Sequence, residues 1–303
     1  MADCKKFSSA NADEVPIAGM DMAIQKIAVL GAGQMGNGIA QVAACSGYEV
    51  VMIDIKEEFV VRGITNIEKS LAKLVSKERM SQADADAARA RISSATDRSS
   101  CADSDLVIEA VPEILDLKIS IFSELDEICK PECILASNTS SISITKIAEA
   151  TNRPDKVIGM HFMNPVPLMK LVEIINGKST SSETNSAVVA VAKGMGKTPL
   201  STEDSPGFIS NRILCPMLNE AILCLQEGIA TKEAIDGIMM LGMKHPMGPL
   251  ALADYIGLDT LLHIMDVLHE GFNEPKYLAA SLLRQMVDSG KVGRKSGEGF
   301  YEY

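Results

Sequence analysis

The chain has 303 residues, 47% of them hydrophobic and 23% charged, which is enough apolar material for two cores. A formal net charge of −11 repels phosphate backbones and excludes a general nucleic-acid partner. No run approaches the roughly 18 consecutive apolar residues of a membrane-crossing helix, so the sequence reads as a soluble protein with no membrane partner.

Residues 1–22 read as an N-terminal extension, expected to be disordered, with no apolar core segment and no Arg to suggest a secretory or transit signal. The final Tyr301-Glu302-Tyr303 does not resemble a peroxisomal address. Seven cysteines occur without a C-x-x-C pair, and Cys129 and Cys133 have no His or Cys partner at metal spacing. They read as reduced thiols with no metal site, which fits a cytoplasmic protein.

From Gln25 onward the pattern is strand IAVL (27–30), glycine turn, helix to about Gly47, and strand EVVMID (49–54), a βαβ unit. A charged helix from Glu57 to Glu78 and another from Gln82 to Arg91, capped by Ser81, form a helical hairpin inserted between strands. Strand-like runs return at 92–96, 105–110 and 133–138, with a helix between the last two. This alternation predicts an α/β fold with a Rossmann-type, doubly wound and mainly parallel sheet.

Beyond it, KVIGMHF and MKLVEII are two strands, and the two prolines of the intervening MNPVPL suit a reversal of direction. After Ser201, STEDSPG combines cap and breaker residues, and Phe208 to about Gly290 reads helical. The expected division is therefore a dinucleotide-binding domain over 23–204 and an all-α C-terminal domain over 205–303. NRILCPMLNEAILCLQ and IGLDTLLHIMDVLHE are too densely apolar for helices with one wet face, and point to mutual burial or a subunit interface.

Gly31, Gly33 and Gly36 form G-x-G-x-x-G directly after a strand and before a helix. The first glycine permits the tight turn, the second lets backbone approach a pyrophosphate, and the third allows close helix packing. Asp54 ends the next strand, 23 residues after Gly31, where a carboxylate meets ribose hydroxyls and repels a 2′-phosphate. NAD is favoured over NADP.

His161 lies where a strand gives way to a turn, and Glu173 follows twelve residues later on the next strand. A hairpin could join them as a base and its orienting carboxylate, although on spacing alone an ordinary structural pair is the commoner outcome. His245, His263 and His269 fall in the helical part, where surface or core roles are the default.

The segments GAGQMGNGIA, VIEAVPE, ASNTSSISI, HFMNPVPLMKLVE, DSPGFISNRIL, MGPLALADYIGLD and GRKSGEGFY occur in order between Lys26 and Tyr301. With them the sequence resembles the L-3-hydroxyacyl-CoA dehydrogenase family, most of all its 3-hydroxybutyryl-CoA dehydrogenase branch. The resemblance implies His161 as general base, Glu173 as its orienting carboxylate, and Ser140 and Asn211 as contacts to substrate oxygens. It implies NAD contacts from the turn Gly31, Ala32, Gly33, Gln34, Met35 and Gly36, and from Asp54, Glu113, Lys118, Asn138 or Ser140, Asn164 and Lys295. Ser70 and Lys77 are implied for the coenzyme A portion. Lys69, Lys73 and Lys77 recur at intervals of four, so they line one helix face beside Ser70, as a cationic strip or as a merely solvated face.

The activity so implied is NAD-dependent interconversion of (S)-3-hydroxyacyl-CoA and 3-oxoacyl-CoA, in fatty-acid β-oxidation or butyrate-type metabolism, by a homodimer joined through the helical domain. Two other functions compete with it: a crystallin-like nucleotide-binding protein without activity, and a dehydrogenase of a free hydroxy acid. The latter group usually uses a lysine base, which the His161 and Glu173 arrangement speaks against.

Overall fold

The computed structural model describes residues 24–303, and the extension expected over 1–22 lies outside the described residues. The first strands are β1 (Lys26–Leu30), β2 (Glu49–Ile53), β3 (Ile92–Ala95) and β4 (Leu106–Glu109). They are followed by β5 (Ile134–Ser137), β6 (Val157–Phe162), β7 (Leu171–Asn176) and β8 (Thr198–Glu203). Together they make one sheet in the order β3-β2-β1-β4-β5-β6-β7-β8. Every neighbouring pair is parallel except β6 and β7, which are antiparallel.

The central strands are apolar throughout because helices cover both faces of the sheet. Their period of two sends Ile27 and Val29 into one core and Ala28 and Leu30 into the other. The first core is closed by α1 (Gln34–Cys45), α2 (Glu57–Ser76), α3 (Gln82–Ala90) and α6 (Ser182–Gly194), through residues such as Ile39, Ile67, Ala85 and Val188. The second is closed by α4 (Leu115–Ile128) and α5 (Ile144–Ala148), through Phe122 and Ile147. The expected helical hairpin is α2 and α3, inserted between β2 and β3. Ser81 caps α3 by accepting a hydrogen bond from Asp84 N at 3.0 Å.

The sequence carries no signal for strand β8, which ends at Glu203 and pairs Ser201 with Ile174. TPLSTE carries no apolar alternation because it is an edge strand, where Pro199 costs no essential ladder bond. The aspartate of STEDSPG serves an earlier helix: Asp204 Oδ2 accepts from Ser143 Oγ at 2.6 Å and Thr145 N at 2.8 Å, at the start of α5.

The helices α7 (Ser210–Gln226), α8 (Lys232–Met243), α9 (Pro249–Ile256), α10 (Leu258–Phe272) and α11 (Ser281–Asp288) gather around a third core that includes Leu218, Ile222, Leu261 and Met265. Among the described residues no helix is long and apolar enough to cross a membrane.

Candidate active site

The antiparallel register places His161 directly opposite Glu173, so their side chains leave the sheet on the same face. His161 Nδ1 meets Glu173 Oε2 at 2.8 Å, with both side chains buried. A carboxylate can only accept, so the neutral ring carries its proton on Nδ1 and its lone pair on Nε2. The start of α7 holds the carboxylate in turn. Oε1 accepts from Ser210 N at 3.0 Å and Ile209 N at 3.3 Å, and Ser210 Oγ donates to Oε2 at 2.6 Å. Burial works to raise the Glu173 carboxyl, but the hydrogen bonds from His161 and from the Ser210 hydroxyl and N–H outweigh it and hold the group below the usual carboxylate range. The buried Phe208 ring stands 6.0 Å from the imidazole.

Ser140 and Asn211 come together as well, Asn211 Nδ2 donating to the Ser140 carbonyl at 2.9 Å. The turn bearing Ser140 is folded around Glu113, whose Oε1 accepts from Thr139 Oγ1 at 2.5 Å, Ser140 N at 2.9 Å and Ser141 N at 3.0 Å. Burial again opposes ionisation of Glu113. The Lys118 charge and the hydrogen bonds from Thr139, Ser140 and Ser141 overcome it and lower the pKa. Asn138 Oδ1 accepts from Phe162 N at 2.9 Å, tying the end of β5 to the strand that carries His161.

Lys118, for which the resemblance implies a cofactor contact, lies among acidic side chains. It is 1% exposed, and its amine lies 2.6 Å from Glu109 Oε1 and 3.4 Å from Glu113 Oε2. Glu109 is fully buried and also accepts from Ser137 Oγ at 2.6 Å. Two carboxylates occupy the Lys118 amine, so its influence reaches the site through Glu113.

A cleft of about 880 Å³ opens beside the glycine turn, lined by Gly31, Gly33, Gln34, Met35 and Asp54 among others. Gly31 has φ +98°, and a Cβ there would fall 2.5 Å from Ala110 O. A Cβ on Gly36 would come within 1.7 Å of Gly31 O, whereas at Gly33 it would meet nothing within 4 Å. The chain is thus crowded behind the turn and open in front of it. No side chain caps α1 at its Gly33 start, and its first turn contains no acid. Such a helix end presents free N–H groups to an anion, so these residues fit a dinucleotide diphosphate. Asp54 shapes the turn, Oδ2 accepting from Ala32 N and Oδ1 from Ile55 N, each at 2.7 Å.

Asn164 reaches the same turn from the β6–β7 connector, accepting from Gln34 Nε2 at 3.1 Å. Lys197 secures that connector from below, its buried amine donating to Val166 O at 2.5 Å and Met169 O at 2.8 Å. Burial, with the nearby Lys170 charge, pushes the Lys197 amine below its ordinary value.

Three further expected residues lie outside the sheet and the turns at its strand ends. Ser70 and Lys77 lie on and just beyond α2, Lys77 being exposed with Lys69 and Lys73, and neither lines the cleft. Lys295 belongs to the helical unit, where it pairs with Asp259 and lies against Gly257. Sequence reasoning missed Ser210, Glu109 and Lys197. The SPGFISN segment did mark a helix start near Ser210, but nothing in it pointed to a strand residue 37 positions earlier.

Comparison with known proteins matches residues 26–205 to the family model "3-hydroxyacyl-CoA dehydrogenase, NAD binding domain", and residues 207–303 to "3-hydroxyacyl-CoA dehydrogenase, C-terminal domain". The chain belongs to the 3-hydroxyacyl-CoA dehydrogenase family. As a member it is an NAD-dependent oxidoreductase. It is 60% identical over 278 residues to a "Probable 3-hydroxybutyryl-CoA dehydrogenase" of Deinococcus radiodurans, covering 92% of this chain and all of that one (100%). It is 45% identical to the human mitochondrial hydroxyacyl-coenzyme A dehydrogenase, over 92% of this chain and 91% of the relative. Among solved structures, the (S)-3-hydroxybutyryl-CoA dehydrogenase of Ralstonia eutropha superposes with a TM-score of 0.91 at 51% identity, covering 93% of this chain and 99% of that one.

Proposed function

We propose that the chain interconverts (S)-3-hydroxybutyryl-CoA, or a short-chain homologue, and acetoacetyl-CoA or its 3-oxo counterpart, in fatty-acid β-oxidation or butyrate-type metabolism. The observation that carries this reading is the buried His161 Nδ1 to Glu173 Oε2 contact of 2.8 Å in a chain with the family's NAD-binding domain. NAD held in the cleft would supply the acceptor for the hydride leaving C3. His161 Nε2 takes the proton of the 3-hydroxyl as that hydride departs, and returns it in the reducing direction. Glu173 fixes the tautomer and offsets the positive charge that develops on the ring. Ser140 and Asn211 hold the substrate oxygens, already joined to each other at 2.9 Å.

On the cofactor side, the turn from Gly31 to Gly36 takes the diphosphate and Asp54 the ribose hydroxyls, with Glu113, Asn138 and Asn164 around the reacting end. Ser70 and Lys77 meet the coenzyme A portion, a role supported by the exposed cationic face of α2. The division at 204/205 makes the first unit the nucleotide carrier and the second the substrate and dimerisation unit. A homodimer through the helical unit is favoured by large apolar side chains left on its surface, Ile213, Ile238, Leu241 and Met243, with Leu241 89% exposed. Free thiols at Cys45, Cys101, Cys129, Cys133, Cys215 and Cys224 suit a reducing cytoplasm.

The test is acetoacetyl-CoA-dependent oxidation of NADH, followed by absorbance and repeated with acyl chains of increasing length. Turnover of acetoacetyl-CoA with none on free acetoacetate is the expected result. Turnover of the free acid alone would assign a different substrate class, and no turnover of either would leave a nucleotide-binding protein without this activity. Light scattering at micromolar concentration tests the dimer, which a monomer mass would refute.

A further inference from the structure

Arg98 is the one Lys or Arg among the described residues that line the cofactor cleft. It opens a 3-10 turn (Arg98–Cys101) three residues beyond β3. Asp54 N donates to Ala95 O at 3.3 Å, so Asp54 and Arg98 stand at the ends of adjacent strands, both facing the cleft. The neighbouring Asp97 is occupied, its Oδ1 accepting from Ser99 N at 2.8 Å. Arg98 is held by Glu124 of α4, which lines the same cleft. Both partners keep contact with water, Arg98 at 27% side-chain exposure and Glu124 at 42%.

We propose that Glu124 is a selectivity residue, which disfavours a ribose 2′-phosphate in the cleft by holding the cation that lines it, Arg98. This rests on the NAD reading of the cleft and deepens it: discrimination comes from the Asp54 carboxylate and also from the engagement of Arg98. A 2′-phosphate is accommodated where a guanidinium is free to bond its oxygens in a fork. With Glu124 on that fork, an incoming phosphate must displace one carboxylate while facing the other. The pair is half-exposed and hence weak, so releasing Arg98 yields a modest gain, about twofold to fivefold in affinity.

The experiment is calorimetric titration of the full chain with NADH, adenosine 5′-monophosphate and adenosine 2′,5′-bisphosphate, in the wild type, Glu124→Gln, Glu124→Ala and the Arg98→Met, Glu124→Gln double variant. Both single variants should bind the bisphosphate about twofold to fivefold more tightly, with the monophosphate unchanged and the gain shrinking at high salt. The double variant should lose the gain. An unchanged bisphosphate affinity in the single variants, or a gain that survives without Arg98, overturns the proposal. A wild type that binds no NADH overturns the reading of the cleft, and this inference with it.

Discussion

Ser210 Oγ donates to Glu173 Oε2 at 2.6 Å, the same oxygen that meets His161 Nδ1 at 2.8 Å. A residue at the first turn of the helical unit thus shares a carboxylate oxygen with the expected base on the sheet. A hydrogen bond to a charged group is worth about 1.5–3 kcal/mol. Ser210→Ala should therefore lower kcat by roughly tenfold or more while NADH affinity is preserved. A variant that melts earlier yet keeps its kcat would show that Ser210 only supports the fold.

His161→Gln should lose roughly two to four orders of magnitude in turnover, the ordinary worth of general acid–base catalysis. NADH binding should survive, since the residues lining the cleft all lie between Leu30 and Glu124. Glu173→Gln should also be severe, and the double variant should fall well short of the product of the two losses because the residues act as a unit. Steady-state kinetics with a parallel NADH titration decides this. Near-normal turnover in folded His161→Gln would move the chemistry elsewhere.

The depressed Glu173 carboxyl carries a definite sign. Its stabilising contribution is present above the unfolded carboxyl value of about 4.3 and is lost as pH falls through the lower folded value. The stability advantage of the wild type over Glu173→Gln should be full at neutral pH and shrink below about pH 4. Denaturant titrations at stepped pH measure it. An advantage that grew on acidification would contradict the assigned ionisation.

Lys77→Ala should raise KM for acetoacetyl-CoA more than it lowers kcat, because an exposed cation contributes binding that substrate and transition state share. A truncated thioester lacking the coenzyme A phosphates should respond to neither Lys77 nor Ser70. An equal effect on both substrates would leave Lys77 a solvated helix residue.

Lys197→Met would leave Val166 O and Met169 O without the amine that now serves them. An unmet buried polar group costs about 1–3 kcal/mol, so thermal stability should fall. The connector also carries Asn164, bonded to Gln34 of the glycine turn, so NADH should bind several-fold more weakly. Thermal melts and NADH titration read the two effects separately. Reduced stability with unaltered NADH affinity would confine Lys197 to the fold.

The sheet was legible up to β7 because its strands are short apolar runs with turns between them, and the antiparallel step was signalled by the prolines of MNPVPL. That hairpin alone sufficed to bring His161 and Glu173 together. Edge strand β8 was hidden, since TPLSTE needs no apolar face. The supports were hidden for another reason: Ser210 on Glu173 and Lys197 on Val166 join residues 37 and 31 positions apart, and no local periodicity encodes such bonds. Nor does any local pattern show that Lys118 is buried against Glu109 and Glu113.

Because the backbone of Ile209 and Ser210 holds Glu173 while the residues lining the cleft all precede α7, the two halves of the protein's task should fail in a fixed order. Local opening of the first turn of α7 withdraws three donors from Glu173 and leaves the glycine turn intact. A partly opened molecule therefore still retains its nucleotide but is inert toward substrate. On warming, loss of turnover should therefore precede loss of dinucleotide affinity.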